Sequence, residues 1–192
     1  MGLRGPTPSA SAAIALTIAL REASLTVFTR EVLPREWARE QGNLASAYAQ
    51  RIRGERADNL EMATAAYEAA LTVITRDALP RDHLRVSKAL GWVQLEAKNW
   101  QKAREVLTSA RAAFLVLFGQ GLDEAEGGDL VSQAQGLFAE AAFAAAQQGD
   151  LESALNLLME GRGRLMAVSL KSLELPSDQR SRLEMLRVES EP

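Results

Sequence analysis

The chain has 192 residues, with 22 Lys and Arg against 25 Asp and Glu, a net charge of −3, one His and no Cys. Without Cys there is no disulfide framework, thiolate nucleophile or thiolate metal site, and a single His leaves no partner for Ser-His or Cys-His chemistry. The slightly acidic, mixed-sign composition also lacks the concentrated cationic face that phosphate binding needs, so it argues against nucleic acid as a partner. The 33 Ala and 28 Leu outweigh the 10 Val, 4 Ile and 8 Thr, and this excess of residues that lose little entropy in a helix sets the class as all-α.

Residues 1–8, with Pro6 and Pro8, read as a disordered N-terminal segment. Gly2 fails as a myristoylation site, because that motif needs Ser or Thr where Pro6 stands. The apolar stretch Ala10 to Leu20 is interrupted by Ser11 and Thr17 and is shorter than the ~20 residues of a membrane span. As a secretory segment it has prolines in the leading region and no cleavage signal after it. It is therefore expected to form a buried helix of a cytoplasmic protein with no membrane partner.

Shifting the chain by 46 lays Ala23–Trp37 over Ala69–His83 with nine of fifteen positions identical, a self-similarity that marks a repeated structural unit. Within it, Leu33-Pro34 and Leu79-Pro80 should end one helix and open the next. Proline disfavours the α conformation in the residue before it and fits the first helical turn. Other stops are Gly54, the stretch Gly119 to Gly128, and Gly149-Asp150, with Asp150 a ready N-cap. The resulting helices are about 9–32, 35–53, 58–78, 81–97, 99–118, 129–148 and 150–173, with a short one near 177–188. Residues 9–175 then form one helical repeat domain, and 176–192 a terminal helix and tail.

Leu90, Gly91, Trp100, Ala103, Leu107 and Ala110 recur at helical intervals on two successive helices. Gly91 and Ala103 are small enough for close approach, while Trp100 and Leu107 fill the space beside them. The pattern L-G-x-x-Q followed by W-x-x-A-x-x-x-L-x-x-A resembles the tetratricopeptide repeat. The same slots hold Leu44, Ala45, Tyr48, Ala63, Tyr67 and Ala70, and again Ala141, Ala142, Ala145, Leu151, Ala154 and Leu158. The resemblance implies a right-handed array of about three helical hairpins with flanking helices, an α-solenoid. The first unit departs from standard spacing, because Arg51 to Asp58 lengthens its internal turn.

Trp37, Ala38, Gln41, Asn43, Leu44, Ala47 and Tyr48, then Arg51, Ile52, Gly54, Arg56, Ala57, Asn59 and Leu60, then Ala65 through Arg76 resemble the repeats that precede the CHAT domain of bacterial caspase-like proteins. Leu155 to Leu170, with Gly161-Arg162-Gly163-Arg164-Leu165, is similar to the helix that leads into such a domain. That family's peptidase uses a His and a Cys beyond the repeats; this chain carries no Cys, so the activity does not carry over.

Other chemistry is thinly supported. His83 has no second ligand and reads as structural. Asp123, Glu124, Glu126 and Asp129 lack the alternation of a calcium loop because Ala125 interrupts it, and so read as a solvated connector. Gly119, Gly121, Gly127 and Gly128 follow no strand, so a phosphate loop lacks its context. Gly161-x-Gly163 reads as a close-packing point or kink. Arg51, Arg53 and Arg56, like Arg162 and Arg164, form small basic clusters that read as solvated faces or as anion contacts. No cofactor or metal is expected, and the chain is not read as an enzyme.

In the resembled array the first helix of each pair lines a concave face. Its residues outside the packing slots are Arg39, Asn43, Ser46 and Gln50, then Arg85, Lys88, Trp92 and Glu96, then Glu140, Phe143 and Gln147. The carboxylate clamp of chaperone-binding members is incomplete here. Aromatics flanked by cations suit an extended acidic or aromatic-bearing peptide, with Trp92 the expected anchor and Trp100 the core counterpart. The expected function is a protein-interaction scaffold or regulatory module. Its rivals are a building block that self-associates through its end helices, and an adaptor that contacts a nucleic-acid-bound effector through the Arg51–Arg56 turn.

Overall fold

The computed structural model describes residues 10–120 and 124–172; the expectations for residues 1–8, Asp123, the helix near 177–188 and the tail lie outside them. The described residues are all-α, in eight helices: α1 (Ala10–Val27), α2 (Pro34–Ala49), α3 (Arg56–Leu71), α4 (Pro80–Glu96), α5 (Trp100–Gly119), α6 (Glu124–Ala134), α7 (Leu137–Gln147) and α8 (Leu151–Ser172). The most extensive packing joins α2 to α3, α4 to α5 and α7 to α8; α1 leans on α2, α3 on α4 and α5 on α7. Two main cores result. One runs from Ile18 through Leu44, Tyr48, Leu60 and Tyr67 to Leu90, and the other from Leu84 through Leu107, Phe114 and Leu130 to Phe138.

The two Leu-Pro corners fold alike, down to individual hydrogen bonds. Thr26 and Thr72 each donate a hydroxyl proton to the carbonyl three residues back, at 2.7 Å. Thr29 and Thr75 each accept the amides of the residues three and four ahead. Leu33 and Leu79 share one backbone conformation, φ/ψ −136/69° and −141/62°, and Pro34 and Pro80 open the next helix. This threonine chemistry ends α1 at Val27 and α3 at Leu71, earlier than the expected 32 and 78, because hydroxyls that bond local backbone compete with the helical ladder.

Three further expectations are corrected. Helix α1 is not buried: only Ile18 is, whereas Leu16, Leu20 and Val27 are 60%, 58% and 69% exposed. Among the described helices α2 is its main neighbour, so most of its apolar surface is uncovered. By length and composition alone it could cross a membrane. The single helix expected over 129–148 is two, α6 and α7, broken where Gly136 takes φ +83°, a left-handed conformation open to glycine without penalty. The acidic connector is itself helical from Glu124 onward. Its Asp129 carboxylate accepts Arg81 at 2.8 Å and Gln133 at 2.7 Å.

Close packing falls where small residues are expected. A Cβ on Gly91 would lie 2.6 Å from Leu107 Cγ, and one on Gly161 would lie 2.5 Å from Phe138 Cβ. His83 is a structural residue, buried with Nδ1 2.9 Å from the Ile74 carbonyl and Nε2 2.8 Å from Ser109 Oγ. It ties the second corner to α5. At Gly149-Asp150, Gly149 has φ +80° and the Asp150 carboxylate accepts the Ser153 amide at 3.1 Å. The equivalent turn between α4 and α5 places Lys98 at φ 59°.

Candidate functional site

Trp92 lies in the last part of α4, just past the point where Ser87, Leu90 and Gly91 turn inward, and remains 45% exposed. A pocket opens on either side of it. The smaller, about 290 Å³, is lined by Arg85, Lys88, Ala89, Trp92, Gln133 and Glu140. The larger, about 760 Å³, is lined by Ala49, Gln50, Arg51, Ile52, Gly54, Arg56, Trp92, Leu95 and Glu96. Trp92 is the wall they share.

The break at Gly136 helps shape the smaller pocket, since it sets Gln133 near the end of α6 and Glu140 in the first turn of α7 on the same pocket wall. Lys88 Nζ donates to the Gln133 carbonyl at 3.2 Å. Burial pushes the Glu140 carboxyl above its ordinary pKa, against the opposing pull of Lys88. Gln133 Oε1 and Glu140 Oε2 are both shielded from solvent without a hydrogen-bond partner. Arg85 reaches Asp82 at 3.3 Å and is otherwise open to solvent.

The larger pocket is held by Arg56. Its Nε and Nη2 each meet a Glu96 carboxylate oxygen at 2.6 Å, its Nη1 donates to the Ala49 carbonyl at 2.6 Å, and its guanidinium carbon sits 6.0 Å from the centre of the Trp92 ring. Such two-pronged pairing is the strong, directional form of an arginine–carboxylate contact. From the other side the amide of buried Asn59 donates to the Arg53 carbonyl at 2.9 Å, with the Arg51 carbonyl at 3.4 Å. Gly54, at φ +84°, closes the turn between them.

Of the residues singled out in the sequence, Arg85, Lys88, Trp92, Glu96, Gln50 and Glu140 line these pockets. Arg39 is exposed with its Nε 4.0 Å from Glu40, and Asn43 lines neither pocket. Ser46 accepts the Gln50 amide at 2.9 Å and hydrogen-bonds the Tyr67 hydroxyl. Phe143, expected beside groove cations, packs edge-on against Trp100 with ring centres 5.9 Å apart. Gln147 is exposed outside both pockets. Trp100 itself is only partly buried, at the first position of α5.

Sequence reasoning missed Ile52, Gln133 and the Arg56 clamp as pocket elements. The clamp spans 40 residues of chain and carries no local signature. Neither a scan against protein-family models nor a search of curated protein sequences returns a match for this chain.

Proposed function

We propose that the chain is a non-catalytic interaction module that binds a peptide or protein partner along the α4 face carrying Trp92. The observation behind this reading is a half-exposed tryptophan set between two pockets, with Arg85 and Lys88 on one rim and the Arg56–Glu96 pair on the other. Exposed aromatics in such settings are the usual anchors of binding energy, because they bury large apolar area while charged neighbours exclude water and fix register. The pairs α2/α3, α4/α5 and α7/α8 serve, in this reading, as three hairpins of a right-handed tetratricopeptide-like array with α1 preceding them. The resemblance to repeats beside CHAT peptidases makes a regulatory or scaffolding role in such a system the proposed setting.

The test is capture of partners from the native host by wild-type chain and by Trp92→Ala. Binding should be lost in the variant while its melting temperature holds. Retention of the same partner by Trp92→Ala refutes the reading.

A second reading, a self-associating building block, is favoured by the bare faces of the end helices: Leu16, Leu20 and Val27 on α1, and Leu151, Leu155 and Met159 on α8. Sedimentation separates it, since a monomer at all concentrations excludes it.

A further inference from the structure

The turn between α2 and α3 is longer than a helical hairpin needs, and it is pinned where a spare loop would be left loose. Buried Asn59 holds its Arg51 and Arg53 carbonyls, and Arg56 binds the Ala49 carbonyl at its start while locked onto Glu96 of α4. Between these two anchors the chain presents Ile52, 74% exposed, next to Trp92. An isoleucine held that far into solvent buries little apolar surface within the fold. Arg51 and Arg53 flank it, and neither guanidinium makes an ion pair with the described residues. The apolar part of the pocket lining is made by Ala49, Ile52, Trp92 and Leu95, and of its two arginines, Arg51 and Arg56, the second is already neutralised by Glu96.

We infer that this stapled turn is a recognition subsite that takes one apolar side chain of an extended peptide against Ile52 and Trp92, with carboxylates of the same peptide on either flank meeting Arg51 and Arg53. The inference rests on the Trp92 face being the binding face and adds to it a subsite, a partner chemistry and a role for the unusual turn. Its charge logic is complementarity: unpaired Arg51 in the pocket wall and unpaired Arg53 next to it on the turn attract acidic groups, while the apolar lining receives a Leu-sized or Ile-sized side chain. A phosphate backbone fits less well, because its affinity comes from a run of cations and the third arginine of the cluster is spent on Glu96, which leaves two.

The experiment selects random dodecapeptides displayed on phage against the full chain, then measures the selected peptides by calorimetry on wild type, Arg51→Glu/Arg53→Glu, Ile52→Asp and Trp92→Ala. The altered turn residues are on the surface, so the variants should melt with wild type. The selected peptides should share an apolar residue flanked by Asp or Glu. Their affinity should fall about tenfold or more in both turn variants and in Trp92→Ala, and weaken with added salt. Peptides that need Trp92 but are indifferent to the turn variants overturn this inference and leave the interaction face standing. Failure to select any peptide, or indifference to Trp92→Ala, overturns both. Decauridylate binding that competes with the peptides and outlasts them as salt rises overturns the acidic-peptide assignment in favour of RNA.

Discussion

Gly91→Ala and Gly42→Ala add the same methyl to two neighbouring helices and are expected to move stability in opposite directions. Each replaces the residue with the poorest helical propensity after proline by the best, a gain of about 1 kcal/mol. At Gly42 the new carbon would find Val86 Cγ2 at 3.7 Å, an ordinary contact, so most of that gain should survive. At Gly91 it would arrive 2.6 Å from Leu107 Cγ, the branch point of a side chain with no exposure. Leu107 cannot swing its tip aside, so the two helices must part. Overpacking of this kind costs about 1–3 kcal/mol in ordinary cores, and the deep overlap here belongs at the upper end, for a net loss of about 1–2 kcal/mol. The variants should differ by about 2–3 kcal/mol, or roughly 5–10 °C in melting temperature for a domain of this size. Thermal melts followed by far-ultraviolet circular dichroism would read this directly. Leu107→Ala supplies the internal check: in that background Gly91→Ala should cost less, because the obstructing atoms are gone. A Gly91→Ala variant that melts at or above wild type refutes the close-approach account of the α4/α5 pair.

Trp92→Ala should cost under about 1 kcal/mol of stability because the ring is half exposed, whereas Trp100→Ala, which strips a partly buried ring and its edge contact with Phe143, should cost about 2–3 kcal/mol; equal melts would place Trp92 in the core. Lys98→Gly should stabilise by about 1 kcal/mol, since φ 59° is a left-handed conformation that costs a lysine and not a glycine, and denaturant titration will show it. Glu140→Gln should raise the melting temperature at neutral pH. Burial raises the Glu140 pKa in the folded state, so the ionised form costs stability at high pH and the cost disappears as pH falls through the raised value and then below the ordinary carboxylate range. Melts between about pH 4 and 8 should therefore show the advantage of Gln shrinking on acidification; an advantage that grows instead contradicts the assignment.

What could be read from the sequence was what repeats or what local chemistry enforces. The duplicated corner, the prolines at helix starts and the Asp150 cap are each carried by residues within a few positions of one another, and the Gly91 contact with Leu107 joins two successive helices at regular spacing. Helix ends were misplaced where Thr26 and Thr72 turn their hydroxyls onto the backbone, a competition that apolar spacing does not register. The α6/α7 break was missed because Ala, Leu and Phe run helically through it and only Gly136 marks it. The burial of α1 was misjudged for a different reason: an apolar stretch reports what could be covered, and what lies against it is decided by the rest of the chain. The pockets depend on contacts such as Arg56 to Glu96 and Lys88 to the Gln133 carbonyl, which join residues some forty positions apart. Trp92 could be picked out by its offset from Leu90, together with Arg85, Lys88 and Glu96, but the Arg56 that lies against its ring could not.

The two corners share a backbone but differ in how they are clamped. At the second, the His83 ring is bonded at both nitrogens, bridging the Ile74 carbonyl and Ser109 of α5. At the first, the matching residue is Trp37, which has Arg30 over its ring at 5.6 Å and stands only partly buried. The second corner is therefore clamped by hydrogen bonds of its own, whereas among the described residues α1 is hydrogen-bonded to α2 only farther from the first corner, by Arg21 on Glu40 and by the Tyr48 hydroxyl on Glu22. Bending should concentrate between α1 and α2, leaving the pocket walls on α2 through α5 to move as a body. Amide hydrogen exchange would register that gradient as faster exchange at Leu33 and Trp37 than at Leu79 and His83, although the four amides make hydrogen bonds of 2.8–2.9 Å.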